Sequence, residues 1–140
     1  MTVSETNIAL TKPFAQYVHA RRVGDLVFVA GQGCRHPESD TYQGVSVDED
    51  GQVSYDTKVV TRAVLKNVER ALASHQLGLA DVVDVTVFLK SMADFADMNH
   101  VWNEFFSGKP APTRTTVAVA DLPGMNFVEM KAIAAIRPPS

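Results

Sequence analysis

The chain has 140 residues, a net charge of −3 and 46% hydrophobic residues, which predicts one domain (residues 1–140) with an ordinary globular core. No basic run is longer than Arg21-Arg22, and this argues against a nucleic-acid surface, whose affinity comes mostly from clustered positive charge. Cys34 is the only cysteine, and no apolar run approaches the ~20 residues that span a bilayer. We therefore expect a cytoplasmic protein without a disulfide and without a nucleic-acid or membrane partner.

The first elements that the sequence predicts are two strands, over residues 17–23 and 26–30. The hairpin signal Gly24-Asp25 joins them. The second strand reaches Gly31-Gln32-Gly33, where the glycines either let the backbone approach a neighbour closely or simply end the strand.

A polar insertion over residues 35–56 follows, and its sequence around Asp50-Gly51 predicts a short β-ribbon. Asp56 or Thr57 is then expected to cap a helix that runs to about Gln76. Seven residues at helical spacing predict the buried face of this helix: Val60, Ala63, Val64, Asn67, Val68, Ala71 and Leu72.

The second half begins with a strand within residues 81–90 that is apolar enough to be central in a sheet. A second helix is predicted from about Met92 or Asp94 to Phe106, and two further strands complete the chain. This order of elements predicts an α+β fold in which both helices cover one face of the sheet.

The last two strands are predicted to pair as a hairpin through a tight connection at residues 122–126. In the first strand Thr115 and Val117 alternate with Arg114, and in the second Glu129 alternates with apolar residues. A register that joins the two apolar sets places Arg114 and Glu129 on the same face of the sheet.

The sequence contains none of the common motifs for metal binding, nucleotide binding or a serine nucleophile. The four histidines share no ligand spacing with one another or with Cys34, which predicts that there is no metal site. Neither a Walker motif, nor Gly-x-Gly-x-x-Gly, nor Gly-x-Ser-x-Gly occurs. Cys34 follows a glycine-rich strand end, where it is either a nucleophile or, more commonly for a lone cysteine, a packed residue.

Arg114 and Glu129 each have two interpretations. Arg114 is either an edge arginine in a surface ion pair or a bidentate clamp for a substrate carboxylate. Glu129 is either a solvent-facing carboxylate or a group that holds and activates a water molecule. The residues alone leave these alternatives open.

One series of motifs runs from Pro112-Thr-Arg114 through Leu122-Pro123 to Glu129-Met-Lys-Ala-Ile-Ala134. With Val29-Ala-Gly-Gln32, this series resembles the YjgF/RidA/Rid family of imine and enamine deaminases, and the resemblance covers nearly the whole chain. Within that family, Gly44-Val-Ser-Val-Asp-Glu49 is most similar to the 2-aminomuconate deaminases.

The resemblance implies a chorismate-mutase-like fold and a homotrimer with a barrel-like core and sites in the clefts between subunits. It implies that Arg114 binds the substrate carboxylate, that Glu129 positions water, and that no metal or cofactor takes part. It also assigns four residues to substrate binding: Tyr17, Gly31, Asn99 and Thr116, the last through its backbone.

Two positions depart from the family pattern. Ala30 stands where many relatives carry Ser or Thr, so a hydroxyl that would orient water is missing. Thr116 stands where many carry Cys, which removes a thiol and keeps the backbone.

The implied enzyme is a hydrolase acting on a small anionic substrate, the enamine or imine of 2-aminomuconate, in aromatic catabolism. Its products would be 4-oxalocrotonate and ammonia. The alternatives are a general deaminase of short imines such as 2-aminoacrylate or 2-iminobutanoate, and a non-enzymatic ligand-binding or ribonuclease-like relative. A distal substrate carboxylate would need its own donor, for which Arg35, His36 and Lys131 are the candidates.

Overall fold

The computed structural model describes residues 8–137, in which the strands and helices follow the predicted order. Four strands precede α1, one strand lies between α1 and α2, and two strands follow α2. The elements are β1 (Ala20–Val23), β2 (Leu26–Gln32), β3 (Val45–Val47), β4 (Val53–Tyr55), α1 (Thr57–Ala73), β5 (Val82–Leu89), α2 (Phe95–Phe106), β6 (Thr113–Ala118) and β7 (Val128–Ala135).

The main sheet has five strands in the order β1-β2-β7-β5-β6, and β3 pairs with β4 as the predicted ribbon. Only β5 and β6 are parallel, so the sheet is mixed. Both helices pack on one face, which confirms the α+β prediction. Among residues 8–137, no helix combines the length and the apolarity that crossing a membrane requires.

Helix α1 begins where its sequence predicts. The Asp56 carboxylate accepts hydrogen bonds from the backbone N–H groups of Lys58 and Val59, which have no partner within the helix. All seven residues of the predicted stripe are buried. The helix ends at Ala73 rather than Gln76, which itself adopts a left-handed backbone with φ of 59° that a helix cannot contain.

The core lies between the helices and one face of the sheet. Val29 of β2, Val87 of β5 and Met130 of β7 are fully buried on that face. No helix or strand of residues 8–137 covers the opposite face, which exposes apolar side chains, among them Leu26 and Phe28. We call this the open face of the sheet.

The predicted hairpin between the last two strands is wrong. β5 lies between β6 and β7, pairing with β6 in parallel and with β7 antiparallel. Alternation along a strand reports which residues share a face, but it does not say which strands are neighbours. The connection over residues 119–127 therefore passes the end of β5 instead of making a tight turn.

The predicted placement of Arg114 and Glu129 on one face is also wrong. Arg114 lies opposite Val85 and shares its helix-covered face, whereas Glu129 lies opposite Phe88 on the open face. The misassignment arose because Val117 was expected to be buried, and it is instead exposed on the open face. Three residues along β5 and two interstrand spacings separate the pair, roughly 14 Å between Cα atoms.

Candidate functional site

Glu129 lies in a cleft at the end of β2, together with Tyr17 and Gly31. The cleft has a volume of about 70 Å³, enough for a few water molecules or a small polar group. Three of the six predicted site residues therefore come together here. The lining is completed by Thr11, Phe14, His19, Gln32, Gly33, Arg35, Asn67, Pro123 and Asn126.

A bulge in β2 makes room for the Glu129 carboxylate. Val29 pairs with Ala132 and Gln32 with Met130, so two residues of β2, Ala30 and Gly31, oppose one residue of β7. A Cβ atom at Gly31 would collide with Oε2 of Glu129. Of the two interpretations of the glycines, close approach of a neighbour is the one that the structure shows.

The Glu129 carboxylate is half-buried, and burial raises its pKa above the ordinary value of 4.5. Within residues 8–137 neither a cation nor a hydrogen-bond donor compensates this desolvation, which is the only cause of the shift. A carboxylate that is held away from water without a counter-ion is a candidate proton acceptor.

Two asparagines fix the strand end that leads out of the cleft. Asn67 of α1 donates hydrogen bonds from Nδ2 to the carbonyl oxygens of Gly33 (2.9 Å) and Arg35 (2.8 Å). Asn126 accepts one from the backbone N–H of Cys34 at 3.0 Å. Sequence reasoning assigned these residues no role in the site, although Asn67 is the one polar member of the predicted apolar stripe and so carried a signal.

The segment before β1 closes another side of the cleft through His19. This buried ring contacts the Thr11 carbonyl oxygen through Nε2 and accepts a hydrogen bond from Gln32 Nε2 at Nδ1 (3.0 Å). Both ring nitrogens are therefore occupied by the fold. Tyr17, which is 46% exposed, packs edge-on against the same ring.

Arg114 lies outside this cleft, on the helix-covered face beside α2. Its guanidinium carbon is 4.9 Å from the centre of the Trp102 ring and 5.6 Å from that of Phe95. Nη1 is 3.9 Å from Sδ of Met98. No carboxylate pairs with it in the described part of the chain, and burial lowers the pKa of the Arg114 guanidinium. Arginine remains charged in proteins, so an uncompensated cation is held here by aromatic rings.

Thr116 and Asn99 belong to the Arg114 region and not to the Glu129 cleft. Thr116 follows Arg114 by two residues on the same face of β6, opposite buried Val87. Its hydroxyl is buried, and no hydrogen-bond partner for it exists among residues 8–137. Asn99 lies half-buried on α2, next to Met98. Three of the six predicted site residues thus line the Glu129 cleft, and the other three lie outside it, on β6 and α2.

Cys34 is fully buried, and desolvation raises the pKa of its thiol to about 11. A thiol in that state is a packed residue rather than a nucleophile. In the part of the chain that the structure describes, no three His, Cys, Asp or Glu side chains converge as metal ligands do.

Comparison with known proteins identifies the family of this chain. The family model described as Endoribonuclease L-PSP matches residues 7–136. A RutC family protein of Pyrococcus abyssi is 40% identical over 123 residues, covering 88% of each chain. An Escherichia coli protein named "Putative reactive intermediate deaminase TdcF" is 32% identical over 84% of each chain. The chain belongs to the YjgF/RidA/Rid family.

The structural comparison agrees with this assignment. The crystal structure of Escherichia coli TdcF with bound serine superposes with a TM-score of 0.79 and 29% identity, over 92% of this chain and 94% of that one. The YjgF/RidA-type fold that the resemblance implied is therefore confirmed. The two departures from the Rid family pattern occupy different groups, because Ala30 lies in the bulge beside Gly31 and Thr116 lies beside Arg114.

Proposed function

We propose that this protein hydrolyses carboxylate-bearing imines and enamines to the corresponding ketones and ammonia. The observation that carries the proposal is the half-buried Glu129 carboxylate, which lies against Gly31 and has no counter-ion among residues 8–137. Burial raises the pKa of this carboxyl, which makes the carboxylate a stronger proton acceptor than an exposed glutamate. The relation to the protein named "Putative reactive intermediate deaminase TdcF" supports the same class of reaction.

The reaction that we propose needs no cofactor, because the substrate and a water molecule supply every atom of the products. The enamine first tautomerises to an imine, which is already an electrophile. Glu129 accepts a proton from water as its oxygen adds to the imine carbon. Glu129 returns this proton to the nitrogen, which gives a carbinolamine. The hydroxyl proton of the carbinolamine then passes through Glu129 to the nitrogen as the C–N bond breaks, so that ketone and ammonia leave.

Arg114 is proposed to bind the carboxylate next to the imine carbon through its planar guanidinium. Its separation from Glu129 within one chain supports a site between subunits, where the Arg114 region of one copy meets the Glu129 cleft of another. The exposed apolar side chains of the open face support the same arrangement, and so does the Thr116 hydroxyl, which has no hydrogen-bond partner among residues 8–137. We therefore propose a homotrimer with three composite sites.

Within this class we propose 2-aminomuconate as the substrate and 4-oxalocrotonate as the product. The support is the similarity of the ribbon segment Gly44-Val-Ser-Val-Asp-Glu49 to 2-aminomuconate deaminases. Short imines are the second candidate, because the TdcF structure contains serine, a small amino acid with a single carboxylate. An RNA substrate, which the family description suggests, is disfavoured by the net charge of −3.

Ammonia release from freshly generated 2-aminomuconate, measured beside 2-aminoacrylate, tests the proposal. The wild-type protein should convert 2-aminomuconate with the larger kcat/KM. Arg114→Ala should lower kcat/KM by about a hundredfold, since charge-assisted bidentate contacts to carboxylates are strong. Arg22→Ala, which removes an exposed arginine that contacts Gly24 and Asp25 in its own hairpin turn, is the matched control and should change little.

Near-normal turnover by Arg114→Ala would contradict the assigned role of this arginine. Faster conversion of 2-aminoacrylate would retain the reaction class and reject 2-aminomuconate as the preferred substrate. Binding of either compound without ammonia release would show a ligand-binding protein instead of an enzyme.

A further inference from the structure

Arg35 lies in the Glu129 cleft with its side chain only 12% exposed. Its guanidinium stacks on the Phe14 ring at 4.1 Å from the ring centre. Nη2 donates a hydrogen bond to the carbonyl oxygen of Lys12 at 2.6 Å, and Nη1 donates one to Asp40 at 2.9 Å. The cation is thus held in one orientation by three different contacts.

The backbone of Arg35 is fixed as firmly as its side chain. Asn67 donates a hydrogen bond to its carbonyl oxygen, and the residue forms an isolated bridge with Tyr42 across the loop. Asp40, within that loop, adopts a left-handed backbone with φ of 64°, which brings its carboxylate back to Arg35. A group that is ordered before a ligand arrives loses little entropy when it binds one.

This cation retains capacity for a ligand. A guanidinium has five N–H donors, and two of them have acceptors among residues 8–137, which leaves three. Its ion-pair partner Asp40 has a side chain 67% exposed, so water weakens that pair. Arg35 forms no ion pair with Glu129, although both side chains line the same cleft.

The other two candidates for a distal carboxylate are used elsewhere. The His36 ring accepts hydrogen bonds at Nδ1 from the backbone N–H groups of Glu38 and Ser39, so it caps its own turn. Lys131 lines a different cavity on the open face, of about 610 Å³, together with Arg21. Of the three, only Arg35 lines the cleft that contains Glu129.

We propose that Arg35 binds a second acidic group of the substrate, at the end remote from the carbon that reacts. The site would then select dicarboxylate imines over imines with one carboxylate. This inference rests on the proposed function, in which Arg114 already binds the first carboxylate. It adds a specificity-determining residue and states the substrate class as dianionic.

The first test measures equilibrium binding by calorimetry, with adipate as a stable six-carbon dicarboxylate and hexanoate as the monocarboxylate of equal length. Arg35→Gln should weaken adipate binding roughly tenfold or more, because a hydrogen bond to a charged group is lost, and should leave hexanoate within about twofold. Arg62→Gln, which removes a surface cation paired with Glu104, is the control of equal charge change and should bind both as the wild type does.

The Arg35→Lys variant guards against a folding defect, since it keeps the charge without the planar fork. It should retain a melting temperature near the wild type and bind adipate less tightly than the wild type does. Equal adipate binding by wild type, Arg35→Gln and Arg35→Lys would overturn the inference. So would a wild-type protein that binds adipate no better than hexanoate.

Ammonia release separates this inference from the proposed function. Arg35→Gln should lower kcat/KM about tenfold for 2-aminomuconate and leave 2-aminoacrylate within about twofold. If the wild type binds adipate through Arg35 but releases no ammonia, the result supports the dicarboxylate site and rejects the proposed deaminase activity. If ammonia is released and Arg35→Gln slows the conversion of both substrates equally, the result supports the deaminase activity and rejects the role of Arg35 in substrate selectivity.

Discussion

The Glu129 cleft and the Arg114 region hold their charged groups in contrasting ways. The cleft is polar, and side-chain amides of Asn67 and Asn126 fix the backbone beside it. The Arg114 region is built from aromatic rings and a thioether on α2. Glu129 thus lies against a bulged backbone, whereas Arg114 lies against rings that offer its positive charge their electron-rich faces.

The two regions share one property, which is that each contains a charge without a counter-ion among the described residues. They lie on opposite faces of one sheet, so the single chain cannot bring the charges together. Uncompensated charges of opposite sign on separate faces are what a site between copies of the chain would require. Under the proposed function, Arg114 on the helix-covered face would orient the substrate, and Glu129 on the open face would activate water.

The largest effect should come from removing the charge in the cleft. Glu129→Gln keeps the shape of the side chain and removes the proton acceptor, so kcat for ammonia release should fall about a hundredfold or more. Glu49→Gln, an exposed carboxylate in the ribbon, is the control and should retain activity. Substantial activity in Glu129→Gln would assign the proton transfer to another group.

The same substitution should change stability in a way that depends on pH. Burial raises the Glu129 pKa in the folded state, so the folded protein binds more protons than the unfolded chain as pH rises through 4.5. Wild-type stability therefore loses a contribution over that window, which Glu129→Gln does not lose. The melting temperature of the variant minus that of the wild type should be larger at pH 7 than at pH 4. A difference that is constant with pH would contradict the burial effect.

A smaller effect should follow when the carboxylate stays but is displaced. Gly31→Ala places a methyl group where Oε2 of Glu129 lies, and the flexible end of that side chain can move aside. We expect kcat to fall roughly tenfold, because a misplaced proton acceptor loses reach, with little loss of stability. Gly78→Ala meets nothing within 4 Å and provides the control. A variant that unfolds at a much lower temperature would show that Gly31 serves the backbone instead.

The hydrogen bonds that hold the backbone beside the cleft can be removed without changing its charged residues. Asn67→Ala removes the hydrogen bonds to two partly buried carbonyl oxygens, which should lower the free energy of unfolding by about 1–3 kcal/mol. Asn103→Ala, on the exposed side of α2, is the matched control. Urea unfolding measures both. An unchanged stability in Asn67→Ala would show that water replaces the amide.

The smallest effect is expected at Cys34. Because the thiol is fully buried and its pKa is raised to about 11, it should resist a thiol reagent at pH 8 in the native protein and react fully in urea. Cys34→Ala should keep kcat within about twofold. Rapid labelling of the native protein, or loss of turnover in the variant, would reopen the nucleophile interpretation.

The sequence predicted the elements of the fold better than their arrangement. Helix α1 followed from the Asp56 cap and a stripe at helical spacing, both of which are local signals. The ribbon β3–β4 followed from Asp50-Gly51, and Gly51 does adopt φ of 79°. The place of β6 beyond β5 could not be predicted, because parallel pairing depends on a crossover through α2 that no local pattern records.

The positions of the charged site residues could not be predicted from local sequence patterns either. Val117 was expected inside because it is apolar, yet the open face carries apolar residues too, so polarity did not distinguish the faces of β6. The family resemblance selected Arg114 and Glu129 without depending on their register. Arg35 was one candidate of three, and only the folded loop with Phe14 and Asp40 shows that it reaches the cleft.

Mixing subunits tests the central claim, that Arg114 of one copy and Glu129 of another form each site. Arg114→Ala and Glu129→Gln should each be inactive alone, and co-assembly in equal amounts should restore about one quarter of wild-type ammonia release, since random mixing reunites both residues at that fraction of sites between subunits. A double variant mixed equally with wild type should retain about one quarter for sites between copies and about one half for sites within one copy. No recovery from the two single variants, with about half retained in the second mixture, would contradict the account.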